Sequence, residues 1–92
     1  MLKWPAKDPG ATKDYDLDWT AWLGSDTIAS STWAALPAGS ALVMSNPSFV
    51  SPITKVWLSG GTLGQTYVLE NTITTAARET EVRRVSILIK KQ

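Results

Sequence analysis

The sequence contains neither cysteine nor histidine. Without cysteine the fold cannot rely on disulfides, and the composition gives no sign of an oxidising compartment. Without either residue, Ser-His-Asp and Cys-His catalysis and Cys/His zinc sites are impossible. The usual carrier of acid–base chemistry near neutral pH is also missing. We therefore expect a protein that is not an enzyme and that needs no metal ion or cofactor.

An excess of charge of one sign is lacking as well. Nine Lys and Arg face eight Asp and Glu, which gives a net charge of +1. That balance is unlike the strongly basic surface of a nucleic-acid-binding protein. No stretch approaches the ~20 apolar residues of a membrane helix, and the first residues do not resemble a secretory signal. We expect no nucleic-acid or membrane partner, and synthesis in the cytoplasm.

The N-terminal residues differ in character from the rest of the 92-residue chain. Residues 1–13 contain Pro5, Pro9 and Gly10. Proline fixes φ and removes a backbone donor, so this segment is predicted to be an extended arm. Residues 14–92 have the size and hydrophobic content of one domain with a single core.

Period-two alternation dominates the remainder of the chain, and no window has the 3.6-residue apolar period of a helix. Strands are predicted at 14–23, 27–35, 41–44, 54–58, 66–75 and 79–89, with a short or edge strand at 48–53 that Pro52 interrupts. Residues 75–78 are a predicted hairpin connection. About seven short strands separated by turns indicate an all-β, immunoglobulin-like or fibronectin III-like sandwich.

Tyr67 supports that fold class. It follows Gly64 by three residues and lies near the start of the next-to-last predicted strand. In immunoglobulin-like domains a tyrosine at this place forms a structural corner by hydrogen bonding to the preceding loop. We expect the same contact here.

The spacing Asp14-x-Asp16-x-Asp18 opens like a calcium-binding loop. An EF-hand requires glycine at the sixth position and glutamate at the twelfth, where this chain has Trp19 and Ser25. Asp16 and Asp18 also have the spacing of a glycosidase pair, but one flat strand offers no cleft between them. The simpler interpretation is a charged solvent face of a strand.

Two further patterns have structural explanations. Residues 59–64 are rich in glycine but lack the Gly-Lys-Ser/Thr of a phosphate-binding loop, so turn geometry explains them better. The basic C-terminal residues indicate a solvated strand face, with docking of a protein partner as the alternative. They are Arg78, Arg83, Arg84, Lys90 and Lys91.

The five tryptophans fall into two groups. Trp19, Trp33 and Trp57 lie in apolar-periodic strands and are predicted to be core residues. Trp22 falls on the polar face of its strand and Trp4 lies in the arm, so both are candidate partner-binding residues, since tryptophan is enriched at interfaces. The alternative is that the arm folds over its own domain and Trp4 covers Trp22.

Motifs along nearly the whole chain resemble those of a family of small phage and prophage proteins, the fibre–tail adaptors. The motifs are Trp4-Pro5-Ala6-Lys7-Asp8-Pro9, Asp14-Tyr15-x-x-Asp18-Trp19, Leu23-Gly24-x-Asp26-Thr27-Ile28, Ser31-x-Trp33, Val56-Trp57-Leu58-Ser59-Gly60-Gly61-Thr62-x-Gly64 and Tyr67 followed by Asn71-Thr72-Ile73-Thr74-Thr75. The family usually has Gly-Gly-Arg in the next loop, where this chain has Ala76-Ala77-Arg78. The resemblance implies a place in the virion tail and carries over no catalytic residue.

Two functions therefore remain open from the sequence. The first is a structural adaptor of a phage tail that contacts other tail or fibre proteins, with self-association in the particle as a further option. The second is a carbohydrate- or cell-surface-binding module that uses exposed tryptophan as a stacking platform.

Overall fold

The computed structural model describes residues 2–37 and 41–91. Met1 and Gln92, the outer limits of the predicted arm and domain, lie outside these ranges. The elements are β1 Leu2–Lys3, β2 Lys13–Asp18, α1 Thr20–Leu23, β3 Ile28–Leu36, β4 Leu42–Val50, β5 Ile53–Gly60, β6 Thr66–Thr75 and β7 Thr80–Leu88.

The seven described strands form two sheets that pack face to face. One sheet has the order β1-β7-β6-β3 and the other has the order β2-β5-β4. Strand β1 runs parallel to β7, and every other pair is antiparallel. This is the strand arrangement of an immunoglobulin-like sandwich, in which the chain passes between the sheets after β1, β2, β3 and β5.

The core forms because alternate residues of each strand point between the sheets. Strand β6 shows the pattern most clearly: Tyr67, Leu69, Asn71, Ile73 and Thr75 are buried and the residues between them are not. The facing sheet contributes Tyr15, Leu17, Leu42, Val56 and Leu58, and β7 and the segment after it contribute Val85, Ile87 and Ile89.

A polar network lies in the middle of this apolar core. Asn71 Oδ1 accepts hydrogen bonds from Trp19 Nε1 at 3.1 Å and from Thr54 Oγ1 at 2.6 Å. Asn71 Nδ2 donates to Ser31 Oγ at 2.9 Å and to the Thr32 carbonyl at 3.0 Å. Thr54 is on β5 and Asn71 on β6, so the network joins the two sheets and satisfies groups that are costly to bury alone.

The first long strand is shorter than the predicted 14–23. It ends at Asp18, and residues 20–23 form the single helical turn α1. The Trp19 amide donates to the Pro52 carbonyl at 2.9 Å, and the Asp18 carboxylate accepts from the Thr20 amide at 2.9 Å. These bonds turn the chain so that Trp19 enters the core, and the Asp18 carboxylate forms an Asx-type turn at the Thr20 amide.

Strand β4 is longer than the predicted 41–44. It continues through Pro47 to Val50, and the predicted strand at 48–53 is instead its second half and a turn. The register against β5 shifts between Ser45 and Ser48, where Asn46 has φ 47°. The bulge lets Pro47 remain in an edge strand without breaking it, because the ladder is already interrupted there.

The prediction that Trp57 is a core residue is wrong. Thr54, Val56 and Leu58 point inward on β5, so Trp57 lies on the outer face of the sheet and is 36% exposed. Because the buried residue Thr54 is polar, counting apolar residues along β5 assigns the wrong side of the strand to the core. Trp19 is fully buried and Trp33 is partly buried against the core.

The corner expected at Tyr67 is present. The Tyr67 hydroxyl accepts a hydrogen bond from the Thr62 amide at 3.0 Å, in the loop before its own strand. In the same loop Gly61 has φ 100°, and a Cβ there would lie 2.8 Å from the Ile89 side chain. Turn geometry and close packing therefore account for the glycines.

The predicted hairpin at residues 75–78 joins β6 to β7. The Arg78 amide donates to the Thr75 carbonyl at 2.9 Å, and Arg78 has φ 70°. The Asp26 carboxylate accepts from the Thr27 and Ala77 amides, so it ties the start of β3 to this hairpin. Hydrogen bonds from the Thr75 hydroxyl and from these amides hold the pKa of Asp26 below its usual value.

Replacement of Asn71 by alanine should break the buried network. We expect Asn71→Ala to lower the free energy of unfolding by about 2–4 kcal/mol, because more than one buried polar group loses its partner. Urea denaturation measures the change. The control is Thr72→Ala on the same strand, which should cost less than about 1 kcal/mol because Thr72 is only partly buried. Equal losses in the two variants would contradict a special role for the network.

Removal of the Tyr67 hydroxyl should weaken the corner. Tyr67→Phe keeps the ring but leaves the Thr62 amide without its acceptor. The free energy of unfolding should therefore fall by about 1–3 kcal/mol. Thermal melting followed by circular dichroism measures this, with Tyr15→Phe as the control for loss of a tyrosine hydroxyl elsewhere in the core. A Tyr67→Phe protein as stable as the parent would exclude the corner as a stabilising contact.

Candidate interaction surfaces

The N-terminal segment is extended and lies along the sandwich. Leu2 and Lys3 pair with Val85 and Ser86 of β7. The Trp4 amide donates to the Ser86 carbonyl at 2.9 Å. Of the two roles that the sequence left open for this segment, these contacts favour completion of its own sandwich over docking on a neighbour.

Lys7 continues this attachment. Its backbone bridges Ile89, and its side chain is buried. The ammonium Nζ donates to the Gly60 carbonyl at 2.7 Å and to the Asp8 carbonyl at 2.8 Å. Burial lowers the pKa of Lys7. The two carbonyls supply the hydrogen bonds that a buried cation requires, and the side chain ties the segment to the end of β5.

Trp4 bridges the two sheets. Its ring stacks on Tyr15 with centroids 4.8 Å apart and lies 5.8 Å from the ring of Trp33. Its Nε1 donates to the Asp16 carbonyl at 3.2 Å. Because Tyr15 belongs to β2 and Trp33 to β3, the Trp4 ring packs against both sheets of its own domain.

Trp22 lies elsewhere, on α1. Its ring meets the edge of Trp19 at a centroid distance of 5.8 Å and is half-buried. The Arg83 guanidinium covers the Trp19 ring at 4.2 Å and donates to the Asp18 carbonyl at 3.0 Å. Trp4 and Trp22 therefore pack against different partners, and the expected alternative in which one covers the other is wrong.

The three aspartates of β2 lie on its exposed side. Asp14 forms an ion pair with Lys55 at 3.4 Å, and Asp18 accepts hydrogen bonds from Thr20, which lower the pKa of its carboxyl. Within residues 2–37 and 41–91 no group of three or more carboxylates is arranged to hold a metal ion. The same ranges contain no helix long and apolar enough to cross a membrane.

The turn between β4 and β5 carries Val50, the most exposed large apolar side chain of the described residues. Val50 is 81% exposed and Phe49 is 38% exposed. Together with Pro52 and Ile53 they line a shallow hollow of about 370 Å³, which Asp16 and Lys55 border. We call this surface the hairpin patch. The sequence pattern does not reveal this surface, because Pro52 predicts only an interruption of a strand.

A second depression lies between the edge strands of the two sheets. Its volume is about 310 Å³, and we call it the edge cleft. Trp33 Nε1 is buried and has no hydrogen-bond partner among the described residues. The lining residues are Ser31, Thr32 and Trp33 of β3, Met44 and Pro47 of β4, and Val56 of β5.

Comparison with known families decides the relationship. A family described as podophage GP4 fiber-tail adaptor protein gp77 matches residues 7–88. The chain belongs to this family. The resemblance seen in the sequence motifs is thereby confirmed. Membership of the fiber-tail adaptor family implies a component of the phage virion and association with other tail or fibre proteins.

A solved structure gives the fold independently. The solution structure of the PKD domain from KIAA 1837 protein matches with a TM-score of 0.65 and 17% sequence identity. The match covers 100% of this chain and 83% of that domain. At this identity the likeness concerns the fold, and it confirms an immunoglobulin-like sandwich for this fiber-tail adaptor. No curated protein sequence matches the chain.

Deletion of residues 1–12 tests the role of the N-terminal segment. We expect the free energy of unfolding to fall by at least about 3 kcal/mol, because the deletion removes the Trp4 ring and the buried Lys7 bonds. Deletion of residues 1–3 is the control, since it removes only the short strand β1 and should cost much less. A truncated protein that melts at the temperature of the full chain would show that the segment is not part of the stable fold.

Proposed function

We propose that this fiber-tail adaptor is a non-catalytic structural protein that joins tail components through protein–protein contacts at the hairpin patch. The observation that supports this is the exposure of Val50 and Phe49 beside each other at the β4–β5 turn. Contiguous apolar surface of this kind is a typical mark of an interaction site. Other tail or fibre proteins are the proposed partners, and the assembled tail is the proposed location after synthesis in the host bacterial cytoplasm.

The surroundings of the patch suit a specific interface. Asp16 and Lys55 line the hollow together with the apolar residues, so the surface combines apolar area with two opposite charges. Opposite charges at a rim fix the orientation of a partner more than they add affinity. The combination therefore favours binding to one defined partner over non-specific hydrophobic association.

Trp22 extends the proposed contact area. Its helical turn adjoins the β4–β5 turn, because the Trp19 amide donates to the Pro52 carbonyl and Asp18 pairs with Ile53. We propose Trp22 as a partner-binding residue at the border of the hairpin patch. For Trp4 we propose a supporting role, in which its ring holds the N-terminal segment in place and acts on a partner only through the shape of the domain.

Incorporation into particles tests the proposal. Val50→Asp should reduce the amount of the protein in purified tails at least tenfold, because it places a charge in the apolar centre of the interface. Val43→Asp is the matched control, since Val43 is on the same strand, 53% exposed and outside the hairpin patch. Quantitative immunoblotting of purified particles gives the measurement.

Two results would count against this function. If Val50→Asp is incorporated as well as the parent protein, the hairpin patch is not the contact surface. If the parent protein is absent from purified particles, the adaptor role itself is wrong. Equal melting temperatures of the two variants are the check that a loss of incorporation reflects binding.

Carbohydrate binding is a second candidate because of Trp57. Its ring lies on the outer face of the β2-β5-β4 sheet, in register with Asp14 on one side and Ser45 on the other. An exposed aromatic ring with polar neighbours on a flat sheet can stack on a sugar. A glycan array would show binding that Trp57→Ala abolishes and Trp22→Ala leaves. Absence of any bound glycan for the parent protein excludes this function.

A further inference from the structure

Of the four edges of the two sheets in the described part of the chain, three carry features that prevent pairing with another strand. Strand β1 has two residues and is followed by Pro5. Strand β2 alternates charged residues along its length. Strand β4 has a bulge and Pro47 in its middle. Short strands, charges, bulges and prolines are the usual means by which proteins block their edges.

The fourth edge, strand β3, has only a register shift at its start, between Ile28 and Ser30, and is regularly paired with β6 from Ser30 to Leu36. Its nine residues, Ile28–Leu36, include no charged residue and no proline. Among the described residues it pairs with β6 on one side and with no strand on the other. The Ile28 amide donates to Ser51 Oγ at 3.1 Å, so the open part of the edge is residues 29–36. A long, uncharged edge of this kind is a template for an added strand.

We propose that the open edge of β3 binds an extended segment of another tail protein, which adds a strand to the β1-β7-β6-β3 sheet and places a large apolar side chain in the edge cleft. The proposal rests on the adaptor function and names a second contact for it. Strand addition is a known mode of recognition, in which main-chain hydrogen bonds supply affinity and pockets for alternate side chains supply specificity.

The edge cleft supplies those side-chain contacts. It adjoins β3 through Ser31 and Trp33, which lie two residues apart and so share a face of the strand. Met44, Pro47 and Val56 give the cleft an apolar lining. The Trp33 Nε1 donor has no acceptor within the described part of the chain. A partner segment would thus have alternating apolar residues, no charge opposite the cleft, and a carbonyl or hydroxyl near Trp33.

A second copy of this chain fits the cleft less well. The strand that a copy would present is β3 itself, whose inward-facing residues include Ser31, Trp33 and Ala35. Trp33 is the one large side chain among them, and it already packs against the core and lies 5.8 Å from Trp4. Pairing of β3 with β3 would leave the cleft without an occupant. The better occupant is a different polypeptide.

Hydrogen–deuterium exchange of the intact protein tests this directly. The amides of residues 29–36 are compared between the isolated protein and purified tails. We expect exchange in the tails to be at least tenfold slower at those amides that face the open edge. The amides of the central strand β5, which is paired on both sides, should change much less and serve as the internal control.

A pair of variants provides the second measurement. Thr32→Lys with Ala34→Lys places two charges on exposed positions of the edge strand, whereas Thr66→Lys places one on β6 beyond the end of its pairing with β3. The double variant should be incorporated into tails at least tenfold less than the parent, and Thr66→Lys should be incorporated normally. Each variant is first compared with the parent by melting temperature.

The outcomes separate this inference from the adaptor function. If the protein is present in tails while residues 29–36 exchange as fast as in the isolated protein, strand addition is overturned and the adaptor role stands. Concentration-dependent protection of the same amides in the isolated protein would identify a second copy as the occupant and also overturn it. Absence of the protein from tails would end both proposals.

Discussion

The hydrogen bonds around Asn71 are the constraint on which the rest of the fold depends. A small sandwich can hold its two sheets together by apolar contact alone, but such contact does not fix their relative register. Here one buried amide binds the indole of Trp19, the hydroxyl of Thr54 and the carbonyl of Thr32. These partners come from three separate segments, so only one alignment of the sheets satisfies them all.

This constraint has consequences for the chain around it. The Trp19 side chain must enter the core, so β2 ends at Asp18, directly before Trp19, and the chain turns through α1. The turn brings Trp22 next to the β4–β5 hairpin, where Phe49 and Val50 remain exposed. The N-terminal segment lies along β7 through Lys7 and Trp4. The exposed apolar turn and the open edge of β3 are what this packing leaves uncovered, and both fit a protein whose task is to hold neighbours together.

The sequence predicted the parts of the fold that follow from local pattern. Alternation indicates β2, β6 and β7, the content of Thr, Ile, Ser and Trp indicates β3, and the spacing of Gly64 and Tyr67 indicates the corner. The sequence-based prediction failed where a polar or charged residue is buried. Lysine is seldom buried, so nothing in the composition marked Lys7 as the residue that attaches the N-terminal segment. Thr54 is polar but points inward, which reversed the predicted orientation of Trp57.

The candidate surfaces were harder to predict than the fold. Trp22 stands out in sequence as an apolar residue on a polar face, but the hairpin patch depends on a bulge that carries β4 past Pro47 to Val50. The open edge depends on strand order, because β3 has an unpaired edge only as the last strand of its sheet. Both features come from tertiary pairing, which periodicity alone does not encode.

A density map of the assembled phage tail would show whether this small sandwich joins tail components through the surfaces that its core leaves free. We expect one copy or more located between two different tail proteins, with the turn containing Val50 in one contact and the β3 edge in another. A map in which the domain is attached at one surface only, with both the turn and the β3 edge in solvent, would contradict it.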